Sequence, residues 1–262
     1  MKTLALLFAC IFTTAVFGQI KIYTPSNAHS HNNYAQPNIF WEAYNLQYGS
    51  IEADVFLSAD STNLWVAHTS NEVKTTKRSL DTLYLQPLIS CIQKNGGYVY
   101  ADHSKKLQLM IDVKTEAVST LNELIKMINK YPVLMHTSSL KFVISGNRPN
   151  EMTFKNYPRF IWFDGEMAKN YTKPALQKIA MMSGPLTKFT KWSDTVLITE
   201  AEDKKITQII QQVHALKKPI RFWDTPDNAQ AWKILMLWKV DFINTDHVVE
   251  LANYFKTTAS SK

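Results

Sequence analysis

From residue 50 onward, short apolar runs alternate with amphipathic stripes of helical period, and this alternation limits the fold more than any other feature. Residues 50–57, 64–67, 107–113, 141–145, 159–163, 219–223 and 240–244 read as strands. An earlier strand is expected from Ile20 and Tyr23 through Ala28 to the region of His29, and a further short one at 179–183. Between them, Val118, Leu121, Leu124, Ile125 and Ile128 recur at the spacing of one helical face and stop before Pro132. Ile206, Ile209, Ile210, Val213 and Leu216 do the same behind Thr199-Glu200-Ala201-Glu202, the pattern of a capping box. Residues 38–48 predict a helix closed by Gly49. Residues 80–93 predict one that Pro87 kinks or divides, and 228–238 and 247–255 predict two more. Residues 166–194 have no clean period. Strands that alternate with helices form parallel βαβ units, and about eight of them close an α/β barrel of the (β/α)8 TIM type. A doubly wound open sheet is the alternative. It is disfavoured because polar residues gather after nearly every strand, where a barrel puts its active-site loops.

Residues 1–18 have a short positive start, an apolar run from Leu4 to Phe17 and a small residue at Gly18. This is the pattern of a signal peptide, and it predicts a secreted or periplasmic protein whose residues 19–262 form a single barrel domain. The run is shorter than the roughly 20 residues that a membrane-spanning helix needs. Cleavage would remove Cys10 and leave Cys91 alone, so stability is expected to rest on packing and not on a disulfide. The net charge of +7 comes from scattered lysines. It predicts solubility first, and transient contact with an anionic membrane surface second. Basic residues are not interleaved with aromatics on one element, so no nucleic-acid partner is expected. A monomer is expected.

The candidate chemistry is concentrated between residues 27 and 68. Glu52 and Asp54 are two apart in an apolar strand, so both carboxylates share one face. Two carboxylates facing the same way in apolar surroundings repel each other, and a divalent cation between them removes that cost. All-oxygen ligation suits a hard ion, Ca²⁺ or Mg²⁺. Asp112 ends a later strand, as a third carboxylate or as a helix cap. Lys114 and Arg148 also follow strands, where either can hold a phosphate oxygen. Asp164 and Glu166 are candidates for substrate hydroxyls. Trp162 and Trp223 are candidates for an apolar wall, and Asp246 for a cap or a pocket residue.

His31-Asn32-Asn33-Tyr34, Ile51-Glu52-Ala53-Asp54 and Val66-Ala67-His68 together resemble the first three active-site segments of a known superfamily. It comprises the phosphatidylinositol-specific phospholipases C and the glycerophosphodiester phosphodiesterases. The resemblance continues through Asp112-Val113-Lys114 as far as Asp246. It implies a (β/α)8 barrel that hydrolyses a small-molecule or lipid phosphodiester with a divalent cation. On it, His31 and His68 are the catalytic pair, and Asn32, Glu52, Asp54 and Asp112 hold the metal. The superfamily usually has Glu at the place of Asp112. The substrate-binding candidates are then His29, Lys114, Arg148 and Trp223. An alignment to the Ala-His opening of the glycerophosphodiesterases would instead make His29 the first catalytic histidine, although the Arg and Gly of that opening are absent. Two other readings stand beside this one. His29-Ser30-His31 is also the His-x-His of amidohydrolase-like metal sites, and a barrel that has lost its chemistry could persist as a binding module.

Overall fold

The computed structural model describes residues 22–167 and 169–260. The signal-peptide reading and Cys10 lie outside them. Eight parallel strands close into a barrel, β1 Ala28–Ser30, β2 Ser50–Leu57, β4 Leu107–Val113, β5 Leu140–Gly146, β6 Ile161–Glu166, β7 Ile179–Pro185, β8 Ile220–Trp223 and β9 Phe242–Thr245. The ring is shut by β1, which pairs with β2 on one side and β9 on the other. β3 (Leu64–Val66) is not a barrel strand. It folds back antiparallel on the end of β2, with Val55 opposite Val66.

Strand parity sorts the core. Ile51, Ala53, Val55, Leu109, Ile111, Phe142, Ile144, Ile161 and Phe163 are buried in the large apolar layer shared with the helices. Those helices include Ala117–Asn129, Glu200–Ala215, Ala229–Leu237 and Val248–Ser260. The alternate residues point into the barrel. Met110, Val143, Ala180 and Met181 form a separate small cluster there, flanked by Trp162 and Phe242. This plug fills the middle of the barrel. Above it, at the C-terminal ends of the strands, the inward positions become polar, at Glu52, Asp54, Asp112, Ser145, Asp164, Ser183 and Arg221.

Several boundaries differ from the sequence reading. The first strand begins only at Ala28, because Pro25–Asn27 forms a 3-10 turn behind Thr24. The first helix is one short turn, Trp41–Asn45, and Gln47 rather than Gly49 takes the left-handed conformation after it. Gly49 is required by space instead: a Cβ there would lie 2.0 Å from the Ser26 carbonyl oxygen. Gly49→Ala is therefore expected to cost about 1–3 kcal/mol of stability, the usual range for overpacking, as read from a denaturant midpoint. Pro87 does divide its helix, into a π-helical turn Asp81–Leu85 and the α-helix Gln86–Lys94. The short helices Ser70–Thr76 and Pro132–His136 had no sequence signal. β7 emerges from the stretch without period, and its residues up to Gly184 are all buried. The capping box at Thr199 is present, with Glu202 accepting from the Thr199 backbone N–H at 2.9 Å.

A candidate active site at the barrel mouth

The mouth is built on β2 and β4. Their register puts Asp54 beside Asp112 and Glu52 one layer below. Oxygens of Glu52, Asp54 and Asp112 lie within 4.8 Å of one another. This arrangement follows from strand parity together with that register, and it is the donor set a hard cation takes. Two further observations fit a cation here. Burial, with the neighbouring Glu52 charge second, pushes the Asp54 carboxyl up to about 6, although Lys114 opposes the shift. The Lys114 ammonium sits 2.9 Å from Asp54 and 2.5 Å from Asp112, so this cluster already draws positive charge to itself. Ser145 donates to Asp112 at 2.8 Å. Gly146, at φ 65°, leaves room beside that carboxylate, since a Cβ would lie 2.8 Å from Asp112 Oδ1.

Glu52 is held from beneath by His29. This histidine is fully buried. Its Nδ1 lies 2.6 Å from Ser50 Oγ, and its Nε2 lies 2.8 Å from Glu52 Oε2 and against the Arg221 guanidinium. The Gln108 amide donates to Ser50 in turn. Burial, then the adjoining Arg221 charge, pushes the His29 imidazole down to about 4 despite Glu52, so the ring is neutral. His29 is thus neither a substrate contact nor a free metal ligand, because both ring nitrogens are taken inside the barrel. The same engagement removes the His-x-His reading.

His31 lies just past the end of β1, and its Nδ1 is 2.9 Å from Asp246 Oδ1. A carboxylate only accepts, so Nδ1 carries the proton. Burial acts against the imidazolium, but the Asp246 bond and the charges of Glu52 and Asp246 outweigh it, and the pKa is raised. Asp246 is therefore the partner of His31 across the barrel closure. His68, in the turn after β3, has Nδ1 3.5 Å from Asp54 Oδ2. The antiparallel β3 is what turns this residue back over the acidic cluster.

Tyr34 ties these groups together, and the sequence reading gave it no role. Its hydroxyl is 2.7 Å from Asn32 Oδ1, 2.8 Å from Asp54 Oδ2 and 3.1 Å from His68 Nδ1. Asn32 is in the left-handed conformation at φ 45°, which Asn tolerates better than most residues. The adjacent Asn33 pins the turn by accepting from the Phe40 backbone and donating to Ser30.

A cleft of about 620 Å³ opens beside the cluster, lined among others by His31, Lys114, Arg148, Arg221 and Trp223. Arg148 is anchored to the Asp164 carbonyl and to Glu166 at 3.1 Å. Arg221 is the second residue the sequence did not single out. It is buried between Glu52 at 3.7 Å and Asp164 at 3.8 Å, and donates to Asn244 at 3.3 Å. Burial raises the Asp164 carboxyl to about 6 against that guanidinium. Trp162 is absent from the cleft. It lies near the opposite end of the barrel beneath the ammonium of Lys141.

Comparison with known proteins gives the same picture. A sequence model of the AIM6-like phosphodiesterase domain matches residues 19–164, and one of the glycerophosphoryl diester phosphodiesterase family matches residues 219–248. The chain is 27% identical to Altered inheritance of mitochondria protein 6 of Kluyveromyces lactis, over 87% of this chain and 72% of that protein. A homolog from Arthroderma benhamiae is 23% identical over 88% and 84%. A glycerophosphodiester phosphodiesterase structure from Parabacteroides distasonis superposes with a TM-score of 0.55 at 12% identity, covering 88% of this chain and 96% of that one. A putative glycerophosphodiester phosphodiesterase from Galdieria sulphuraria gives 0.53 at 12%, covering 87% and 96%. At such identity the structural likeness speaks for the fold.

Proposed function

From the premise that this chain belongs to the AIM6-like phosphodiesterase family, we propose that it is a divalent-cation-dependent phosphoric diester hydrolase working at the mouth formed by β1, β2 and β4. The convergence of Glu52, Asp54 and Asp112 within 4.8 Å carries this reading. Those three would hold Ca²⁺ or Mg²⁺, with the Asn32 amide oxygen beside them. When bound, the ion supplies the positive charge that offsets a non-bridging phosphoryl oxygen.

The remaining tasks fall to the chain's own residues. Arg148 and Lys114 face the same cleft and attract the anionic diester. His31 accepts the proton of the attacking oxygen at the ring nitrogen that Asp246 leaves free. His68 donates a proton to the leaving oxygen. Tyr34 orients Asp54, Asn32 and His68 as one unit. Asp164 Oδ1 is buried without a partner among the described residues and lines the cleft, so it offers an acceptor to a substrate hydroxyl. The attacking oxygen is either a neighbouring substrate hydroxyl, which gives a cyclic phosphate, or water. Glycerophosphodiesters and phosphoinositide-type lipids are the proposed substrates, met by an exported protein.

The test is turnover of a chromogenic phosphodiester in Ca²⁺ or Mg²⁺ and then in excess chelator. Hydrolysis lost with the chelator supports the proposal. No metal-dependent turnover of any diester favours a barrel kept for binding, in which Lys114 alone balances the carboxylates.

The role of Asp246 has its own expected result. A hydrogen bond between charged groups contributes about 1.5–3 kcal/mol, and one pKa unit corresponds to about 1.4 kcal/mol. Asp246→Asn should therefore move the His31 limb of the kcat/KM pH profile down by about one unit or more. The direction is fixed, because the carboxylate raises the His31 pKa and the amide cannot. By linkage, the stability from this pair is present below the unfolded histidine value and is lost as pH rises through the raised folded one.

A further inference from the structure

The opposite end of the barrel carries the opposite charge. A second cavity of about 460 Å³ opens at the N-terminal ends of the strands. The plug of Met110, Val143 and Met181 separates it from the acidic mouth. Lys105, Lys106 and Lys141 line it, together with Ser104, Ser138 and Ser139. Lys141 shares the strand parity of Val143 and Ser145, so its side chain belongs to the barrel interior.

The positive charge here is not answered from within. Among the described residues, no carboxylate lies within ion-pairing distance of Lys106, Lys141, Lys178 or Lys218, although Asp102 lies near Lys105. Lys218 donates to the Ile179 carbonyl, and Lys178 to those of Tyr157 and Pro158. Lys141 has only the face of Trp162, 4.2 Å from the ring centroid. Burial lowers its pKa, and the charges of Lys106 and Lys218 lower it further. Holding like charges together around a half-enclosed cavity is costly, and a bound anion removes that cost. The exposed Ser138 hydroxyl adds a donor there, whereas that of Ser104 already donates to Asp102.

We infer that this lower cavity is a binding site for a phosphate-bearing anion, held chiefly by Lys106 and Lys141 and independent of the hydrolytic mouth. The chemistry is that of a phosphomonoester dianion, either free or as the headgroup of an anionic lipid.

The test measures binding of inorganic phosphate by calorimetry, and co-sedimentation with phosphatidylcholine vesicles with and without phosphatidic acid. The full-length wild type is compared with Lys141→Met, Lys141→Arg, Lys106→Gln and, as a control on an exposed helix, Lys204→Gln. Thermal melts check each variant's fold, and Lys106 is exposed enough that its replacement leaves packing untouched. The inference expects Lys141→Met and Lys106→Gln each to weaken binding by about tenfold, the size of a lost charge-assisted bond. Lys141→Arg and Lys204→Gln should retain it. Binding of inorganic phosphate with this pattern identifies a free anion. The same pattern only on phosphatidic acid vesicles identifies a lipid headgroup. Wild type that binds neither, or a folded Lys106→Gln and Lys141→Met that bind as wild type does, overturns the inference.

Discussion

His31→Ala and His68→Ala are each expected to lower kcat on a model phosphodiester by about 10²–10⁴-fold, the usual contribution of a positioned acid or base. Both side chains are partly open to solvent, at 33% and 60%, and neither is part of the apolar core. His68→Ala should therefore change stability by no more than about 0.5 kcal/mol, and His31→Ala by more than that, because it also removes the bond to Asp246. The two histidines flank the acidic cluster and would act in one transfer, so the double variant should lose little beyond the worse single one. Steady-state rates with thermal melts on the same samples decide it. A folded variant with unchanged turnover removes that histidine from the mechanism.

Arg221→Met should have the largest effect on stability, about 3–5 kcal/mol, because it leaves buried charge without its partner. Arg221 is 4% exposed and stands between two buried carboxylates, Glu52 and Asp164. Glu52 is held down to about 2. Burial alone would raise it, but the hydrogen bond with His29 and the Arg221 charge outweigh burial. Asp164, raised to about 6, relieves part of the repulsion by taking up a proton as pH falls. Removing the guanidinium lifts that carboxyl further, so the destabilisation should be smaller at pH 5 than at pH 8. Urea unfolding at pH 5 and pH 8 measures this. A loss under about 1 kcal/mol at pH 8 would mean that the guanidinium is dispensable to the folded state.

The barrel was legible in the sequence because parallel strands buried on both faces and amphipathic helices have different periods. The stripe on Ala117–Asn129 and the capping box at Thr199 left little choice. β7 was barely legible because every residue from Ile179 to Gly184 is buried, so no alternation marks it. The antiparallel turn of β3 could not be read, since register is a property of the pair. Within the site, Glu52 and Asp54 were visible from parity and Asp112 from its place at a strand end. Tyr34 and Arg221 were not visible, because their roles depend on which distant residues the closed barrel brings to them. Tyr34 stands in the same four-residue segment as His31 and Asn32, and that proximity was the one available signal. His29 and His31 looked interchangeable as letters. Burial separates them: one holds Glu52 from inside, and the other faces the cleft with Asp246 behind it.

The central claim is that three carboxylates from two strands share one cation. Calorimetric titration of the chelator-stripped protein with Ca²⁺ and with Mg²⁺ tests this directly, run beside Asp54→Asn and Asp112→Asn. The account expects one ion per chain in the wild type, and a loss of affinity of about tenfold or more in each variant. Wild-type protein that binds neither ion, or variants that bind as tightly as the wild type, would contradict it.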